Sequence, residues 1–276
     1  MSADEAAQAF GVVMRGEASH EQIRELLLGL KTKGETAEEV AGAASALRAA
    51  MVRLPVASHE SRVARPGTRD PRLVDTCGTG GGTITTFNIS TTAAFVVAGA
   101  GVPIAKHGNR SFTSRSGSAD VLEALGIDIA LTPDRAGEVL AEVGLVFLFA
   151  PTYHPAMRHA APVRKELKTA TIFNLLGPLA NPAGVTRQVI GVHDAGRGPL
   201  VAEALGRLGA EHAMVVHAEV GMDEISPSGV TRVWEVRGAV AGRKSQVTEW
   251  DLRPETFDLR QDDLGALKGG EPAENA

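Results

Sequence analysis

Asp75-Thr-Cys-Gly-Thr-Gly-Gly-Gly82 opens a stretch that runs through Asn88-Ile-Ser-Thr-Thr92 and closes on Lys106-His-Gly-Asn-Arg-Ser-Phe-Thr-Ser-Arg-Ser-Gly-Ser118. The thirty residues between Asp75 and Lys106 include no charged side chain. An apolar run, Leu73 to Cys77, precedes the glycines, and a helix is predicted from about Asn88. A second apolar run, Val102 to Ala105, leads directly into the Lys106 segment. Strand, glycine turn, helix and strand in this order are a unit of a mainly parallel sheet. Loops at the C-terminal ends of such strands form the ligand crevice. The two ends of the uncharged span are therefore expected to meet around one anionic, phosphate-bearing ligand. A membrane segment is a poorer reading. The span is rich in Gly, Thr, Ser and Asn, and its apolar part falls short of the roughly 20 residues a spanning helix needs.

Outward from this stretch the same alternation continues. Leu145 to Phe149, Gln188 to Val192 and Ala213 to Val216 read as short buried strands between helical segments. Thr132-Pro133 is an N-cap followed by proline at the first helical position. Leu200 to Leu208 has helical spacing and stops at Gly209. Val230 to Val236 and Gln246 to Trp250 read as later, antiparallel strands. The fold class is thus α/β, with a mainly parallel sheet covered on both faces. The N-terminal fifty-odd residues differ, being Ala-rich and helical. Ser19 with Gln22, and Thr36 with Glu39, have the spacing of capping boxes ahead of apolar residues at helical intervals. From Pro55 to Pro71 the chain is rich in Ser, Pro, Gly and Arg, and is expected to be a hinge. The polar end from Lys268 is expected to be loose.

Composition bounds what the chain does. Its 276 residues suffice for about two domains, and 43% hydrophobic with 22% charged residues is ordinary for a globular protein. A net charge of −5 gives no general attraction to nucleic acid or to an anionic membrane, so an anion site must be a local patch. One cysteine, Cys77, excludes an intrachain disulfide and fits a reducing compartment. The first residues lack a secretory signal pattern, and the cytoplasm is expected.

Several segments carry chemistry. Gly78-Thr-Gly-Gly-Gly82 brings backbone N–H groups close to a pyrophosphate, or is simply a turn. It lacks both the Lys-Ser/Thr of a Walker loop and the third glycine of a dinucleotide fingerprint. Asn88, Ser90, Thr91 and Thr92 are short polar groups at the next helix start, each also an ordinary N-cap. Lys106, His107, Asn109, Arg110 and Ser111 cluster after a buried strand, while Asp120 and Glu123 read as first-turn acids. His154 to Arg164 reads as a basic helix, with His154 and Arg158 four apart, and Arg164 suits a carboxylate. Asp223-Glu224, after a glycine, is the oxygen pair that Mg²⁺ bridges to phosphates, or a surface pair.

Taken in order, these pieces resemble the anthranilate phosphoribosyltransferase family, of the glycosyltransferase family 3 group related to pyrimidine nucleoside phosphorylases. The resemblance rests on Gly78-Thr-Gly-Gly81, Asn88-Ile-Ser-Thr91, Lys106-His-Gly-Asn-Arg110 through Ser116-Gly-Ser-Ala-Asp120, Ala161-Pro-Val-Arg-Lys-Glu-Leu167, Phe173-Asn-Leu-Leu-Gly-Pro-Leu-Ala-Asn-Pro182 and Gly221-Met-Asp-Glu-Ile-Ser226. It implies a small helical domain, residues 1–70 with a return over about 154–182, hinged to an α/β domain over 71–276. It also implies a homodimer through the helical domain. The implied reaction joins anthranilate to phosphoribosyl pyrophosphate in tryptophan biosynthesis.

By the same resemblance Gly78, Gly81, Gly82, Thr86, Asn88, Ile89, Ser90, Thr91, Lys106, His107, Gly108, Asn109, Arg110, Ser111, Phe112, Thr113, Ser114 and Ser118 hold phosphoribosyl pyrophosphate. Gly78, Asn109, His154, Arg164 and Pro178 contact anthranilate. Ser90, Asp223 and Glu224 bind Mg²⁺, and His107 is the nearest candidate for a catalytic base. The chain departs from the family pattern at Gly82, where Asp is usual, at Ala170, where Arg is usual, and at Ala218, where Gly is usual. The family also continues for several dozen residues, with helices that close the α/β domain. Two alternatives stay open at this point: a pyrimidine nucleoside phosphorylase, and a nucleotide-binding paralogue with weak catalysis.

Overall fold

The computed structural model describes residues 1–55, 73–82, 84–111, 115–238 and 245–276. The hinge expected between Pro55 and Pro71 lies almost wholly outside these residues, as do Phe112, Thr113 and Ser114. Three helices open the chain: α1 (Ala3–Arg15), α2 (His20–Lys33) and α3 (Ala37–Ala50). Both expected capping boxes form, with Ser19 accepting from Gln22 N–H and Thr36 from Glu39 N–H. Another, Ser2 with Glu5, starts α1. Each box satisfies two N–H groups that a helix start leaves without partners.

Seven strands form one sheet: β1 (Val74–Thr76), β2 (Ile104–Gly108), β3 (Leu145–Phe149), β4 (Arg187–Gly191), β5 (His212–Ala218), β6 (Thr231–Arg237) and β7 (Gln246–Leu252). Their spatial order is β3-β2-β1-β4-β5-β6-β7. The first five run parallel and the last two antiparallel, as the sequence reading expects. The helices between them are α4 (Ile89–Gly99), α5 (Ser118–Ala124), α6 (Pro133–Val143), α7 (Ala150–Tyr153), α8 (Ala161–Leu167), α9 (Phe173–Leu179) and α10 (Gly198–Arg207). Thr132 caps α6 with Pro133 behind it, as expected.

The chain builds outward from β1 to β3 on one side and then returns to lay β4 on the other side of β1. That reversal creates a crevice at the C-terminal ends of β1 and β4, the switch point at which open α/β sheets bind ligands.

Two expectations are corrected. The segment from His154 to Arg164 is not one helix. It runs from the end of α7 through a 3₁₀ turn, Pro155–His159, into α8. Pro155 has no N–H to continue α7 and biases His154 away from helical geometry, which the His154 φ of −119° and ψ of 57° reflect. His154 and Arg158 therefore do not share a helical face.

Nor is the end of the chain loose. Leu264–Leu267 forms a 3₁₀ turn and Pro272–Asn275 a short helix, α11. Phe87 N–H donates to the Leu267 carbonyl at 2.9 Å and Gly269 N–H to that of Thr85 at 3.3 Å. Polar composition did not prevent order here, because the segment's backbone finds partners in the loop before α4.

Apolar packing joins the layers. Phe10, Leu27, Val40 and Leu47 of α1–α3 share one buried cluster with Val163 of α8, Leu176 of α9, Val201 and Leu205 of α10 and Ile190 of β4. Arg48 of α3 donates to the carbonyls of Leu179 at 2.6 Å and Leu208 at 3.3 Å, and Arg197 pairs with Glu35 at 2.6 Å. Among the described residues no helix is long and apolar enough to cross a membrane.

Candidate functional site

The site is assembled from the loops that leave the C-terminal ends of the parallel strands. After β1 the chain turns through Gly80 at φ +67° and Gly81 at φ +92°, left-handed conformations that glycine adopts without steric cost. Thr79 N–H donates to the Gly191 carbonyl at 2.8 Å, tying the glycine loop to the end of β4. Gly191 is also the point of closest approach to the next loop. A Cβ there would lie 1.7 Å from the Asp223 carbonyl oxygen. Three backbone segments thus converge: the glycine loop, the end of β4 and the Gly221–Glu224 turn after β5.

Lys106 supplies the cation. It projects from β2 and is buried, its ammonium donating to the Thr76 carbonyl and, at 3.1 Å, to Ser90 Oγ. Thr76 Oγ1 donates in turn to the Ser90 carbonyl at 3.1 Å. Lys106 therefore joins the ends of β1 and β2 to the first turn of α4. Burial, and after it the charge of neighbouring Asp223, push the Glu224 carboxyl up to about 7 against the pull of Lys106 and the Ser90 N–H. Burial raises Asp223 as well, opposed by its own N–H and by His193 and His217.

Two adjacent carboxyls raised in this way are a site whose charge a cation would relieve. Among the described residues no group of three His, Cys, Asp or Glu side chains converges to cage a metal. Two carboxylates and a hydroxyl, with the remaining positions left to phosphate and water, are the all-oxygen set that Mg²⁺ accepts. The donor set therefore fits Mg²⁺.

Beside this polar pocket lies a second, drier region. Asp75 is fully buried, its Oδ1 accepting from His107 N–H at 3.1 Å and its Oδ2 from Asn181 Nδ2 at 2.8 Å. Burial raises its carboxyl to about 6, with Lys106 and these hydrogen bonds opposing. His107 Nδ1 lies 3.0 Å from the Gly177 carbonyl in α9. A carbonyl only accepts, so Nδ1 bears the proton and the Nε2 lone pair is left buried without a partner. Burial drives the imidazole down to about 3, helped by His154, whose ring centroid is 5.0 Å away.

Neither buried ring nitrogen of His154 makes a hydrogen bond of good geometry among the described residues. Burial lowers its pKa to about 4, against the pull of the Ala180 backbone. Gln188 fixes the same end of α9 by donating to the Pro178 carbonyl at 2.8 Å. Arg164 of α8 lies with its guanidinium 5.4 Å from the ring centre of Phe173 and has no carboxylate partner among the described residues. Phe173 and Gly177 are four apart on α9 and so share a face, which sets Arg164 and His107 along the same side of that helix.

The remaining expected residues divide. Gly78 packs on the Gly191 carbonyl, and the glycine loop closes at Gly82, where a Cβ would lie 2.5 Å from Asp223 Oδ1. Thr86 lies in the loop before α4, bridged to Lys268. Gly108 and Asn109 turn the chain out of β2, and Ser118 Oγ donates to the Asn109 carbonyl at 3.2 Å. Ser111 N–H donates to Asp120 Oδ2 at 3.1 Å.

The half-exposed guanidinium of Arg110 reaches Asp120 Oδ1 at 3.0 Å and also Glu123; of these acids only Asp120 stands in the first turn of α5, and Glu123, expected there too, lies near the helix end. Asn88 stands at the N-cap of α4 yet makes no capping hydrogen bond. Sequence reasoning assigned no role to Asp75, Asn181, His193 or His217. Asp75 and Asn181 stood inside quoted motifs. The two histidines carried no local pattern, and only the sheet order brings them beside Asp223.

Comparison with known proteins agrees with this arrangement. Residues 1–51 match the model of the glycosyl transferase family helical bundle domain, and residues 70–276 that of its a/b domain. Anthranilate phosphoribosyltransferases of Persephonella marina and Solibacter usitatus are 45% and 49% identical to the chain. The alignments cover 98% and 100% of it and 75% and 76% of those proteins. Among solved structures, anthranilate phosphoribosyltransferase from Thermus thermophilus superposes with a TM-score of 0.86 at 44% identity, covering 100% of this chain and 77% of that one. The Saccharomyces cerevisiae enzyme in complex with PRPP and Mg superposes with a TM-score of 0.81 at 29% identity, covering 99% and 74%.

Proposed function

The chain belongs to the anthranilate phosphoribosyltransferase family, and we propose that it transfers the phosphoribosyl group of phosphoribosyl pyrophosphate to anthranilate, giving N-(5-phosphoribosyl)anthranilate and pyrophosphate. One observation carries the reading. At the β1/β4 switch point a glycine loop, a buried lysine on Ser90 and an acidic pair converge beside two buried histidines whose rings lie 5.0 Å apart.

In this reading the bond from ribose C1 to the pyrophosphate oxygen breaks, and one from C1 to the anthranilate nitrogen forms. The glycine-loop N–H groups and Lys106 bind the diphosphate and stabilise the charge that grows on it. Ser90, Asp223 and Glu224 would hold Mg²⁺, which when bound supplies further positive charge to the leaving pyrophosphate. His107 is a weak proton acceptor with a pKa of about 3. Its role is to accept a hydrogen bond from the amine at Nε2 and orient it, with the amine proton leaving to solvent or pyrophosphate. Arg164 pairs with the carboxylate of anthranilate, and Asn109, His154 and Pro178 line its approach. Holding the two reactants in line then supplies much of the rate.

The same reading divides the chain into a helical part, 1–70 with about 154–182, and an α/β part, 71–276. The core that α8 and α9 share with α1–α3 supports it. A homodimer through the helical layer and a cytoplasmic location go with it, and light scattering tests the first. The direct test of function is loss of anthranilate fluorescence on addition of phosphoribosyl pyrophosphate and Mg²⁺. Folded protein that consumes no anthranilate would overturn the reading.

A further inference from the structure

The segment from Leu264 to Asn275 lies far in sequence from the glycine loop and packs against its exit. Beyond the two backbone bonds from Phe87 and Gly269, Thr86 and Lys268 form a β-bridge. The segment ends on one side-chain contact: Asn275 Nδ2 donates to Asn88 Oδ1 at 3.0 Å. Asn275 is itself oriented, because its Oδ1 accepts from Gly270 N–H at 2.8 Å. That bond fixes which end of the amide faces Asn88.

Asn88 occupies the N-cap position of α4. An asparagine there ordinarily accepts from the N–H of the second or third helical residue, here Ser90 or Thr91. It does not do so. Its oxygen accepts instead from Asn275 and, at 3.1 Å, from Ser116 Oγ, while its amide donates to the Ser116 carbonyl at 3.0 Å. The side chain is held sideways across the start of the helix. A cap formed by Asn88 and a phosphate oxygen would compete for the same N–H groups. The Ser90 N–H already faces the Glu224 carboxyl, and holding Asn88 away keeps its side chain from capping Thr91 N–H.

We propose that Asn275 is a positioning residue for the phosphate-binding end of the site, acting by holding Asn88 off the α4 N-terminus. The proposal rests on the reading that Ser90 and Thr91 face the diphosphate. Asn275 touches no reacting atom, so its effect falls on diphosphate affinity and not on the anthranilate end.

The probe is inorganic pyrophosphate with Mg²⁺, its binding measured by calorimetry, alongside steady-state kinetics. Asn275→Ala removes one of the two donors that hold the Asn88 oxygen sideways, leaving Ser116 alone to compete with the cap, and pyrophosphate affinity and the KM for phosphoribosyl pyrophosphate should weaken by roughly threefold to tenfold, within the range of one cap hydrogen bond. The kcat and the anthranilate KM should stay within about twofold, since neither depends on the cap. Asn275→Asp keeps the acceptor for Gly270 N–H but loses the donor to Asn88. It should reproduce the Asn275→Ala effect with an unchanged melting temperature.

In an Asn88→Ala background, which cannot cap, Asn275→Ala should add nothing to the loss of pyrophosphate affinity. Equal, additive losses in both backgrounds would overturn the proposal, as would wild-type pyrophosphate affinity in Asn275→Asp. A protein that binds pyrophosphate with this coupling yet consumes no anthranilate would sink the transferase reading and leave the positioning role standing. Turnover without the coupling would do the reverse.

Discussion

Replacing Gly82 by aspartate puts a carboxylate against the proposed metal site, and the structure sets the scale of the effect. An ideal Cβ at Gly82 lies 2.5 Å from Asp223 Oδ1 and 3.4 Å from its carboxyl carbon. Gly82 is outside the left-handed region, so its backbone accepts a side chain. The nearest atom is the tip of a side chain, which rotates to make room. What remains is charge.

With the two carboxylates about 5 Å apart, Coulomb repulsion at an effective dielectric near 20 is about 3 kcal/mol. Both positions are partly open to water, which reduces this to roughly 1–2 kcal/mol. For a chain of this size that corresponds to about 2–6 °C in melting temperature. A divalent cation binding only the native state would return that stability by mass action. Gly82→Asp should therefore melt below the wild type in EDTA and recover in millimolar Mg²⁺, with a larger Mg²⁺-dependent rise than the wild type shows. The measurement is a pair of thermal melts for each protein. An equal deficit with and without Mg²⁺ would refute the electrostatic argument and leave a steric one. No deficit in EDTA would refute the placement of the Asp223 carboxylate beside Gly82.

Three further outcomes are expected. Arg164→Ala should raise the KM for anthranilate by about tenfold to a hundredfold, the worth of a charge-assisted pair, while that for phosphoribosyl pyrophosphate stays within about twofold. Equal effects on both would remove the carboxylate role. Asp75→Asn turns an amide donor toward either His107 N–H or Asn181 Nδ2. It should cost about 1–3 kcal/mol in urea unfolding, seen as a lower midpoint with an unchanged slope. Glu39 gives the clearest pH dependence. It is fully buried, and although burial alone would raise its carboxyl, hydrogen bonds from the N-terminal ammonium, Lys33 and Thr36 N–H hold it at about 2. Its folded pKa lies below the unfolded 4.5. The stability it contributes is therefore complete above 4.5 and lost as pH falls toward 2. Glu39→Gln should be about 2 kcal/mol less stable at pH 7, with the gap closing between pH 4.5 and 2. A constant gap across that range would show that packing, not charge, is responsible.

The local chemistry of this chain was legible without coordinates. Capping boxes at Ser19 and Thr36, the Thr132-Pro133 start and the strand runs depend on neighbours within a few residues, and the structure forms them nearly where the spacing puts them. The glycine loop and the cationic segment that ends β2 were readable for the same reason: each is a contiguous motif on one strand end. Sequence also misled where local composition was overridden. Polar residues near the C-terminus became a packed strap because distant backbone groups at Thr85 and Phe87 paired with them.

What the sequence by itself determined was the inventory: an α/β chain with a phosphate-type loop, a lysine beside a buried strand and an acidic pair, each within one short motif. Tertiary structure alone decided which of these are neighbours. The reversal of strand order at β1 brings β4 beside it, so Gly191 carries the glycine loop and the Asp223 turn together, with His193 and His217 alongside. The same packing buries Asp75 on His107 and Asn181, and lays Asn275 on Asn88 across 187 residues of chain. Such contacts obey no sequence period. They follow from the order in which strands add to a sheet and from the partners that buried polar groups must find.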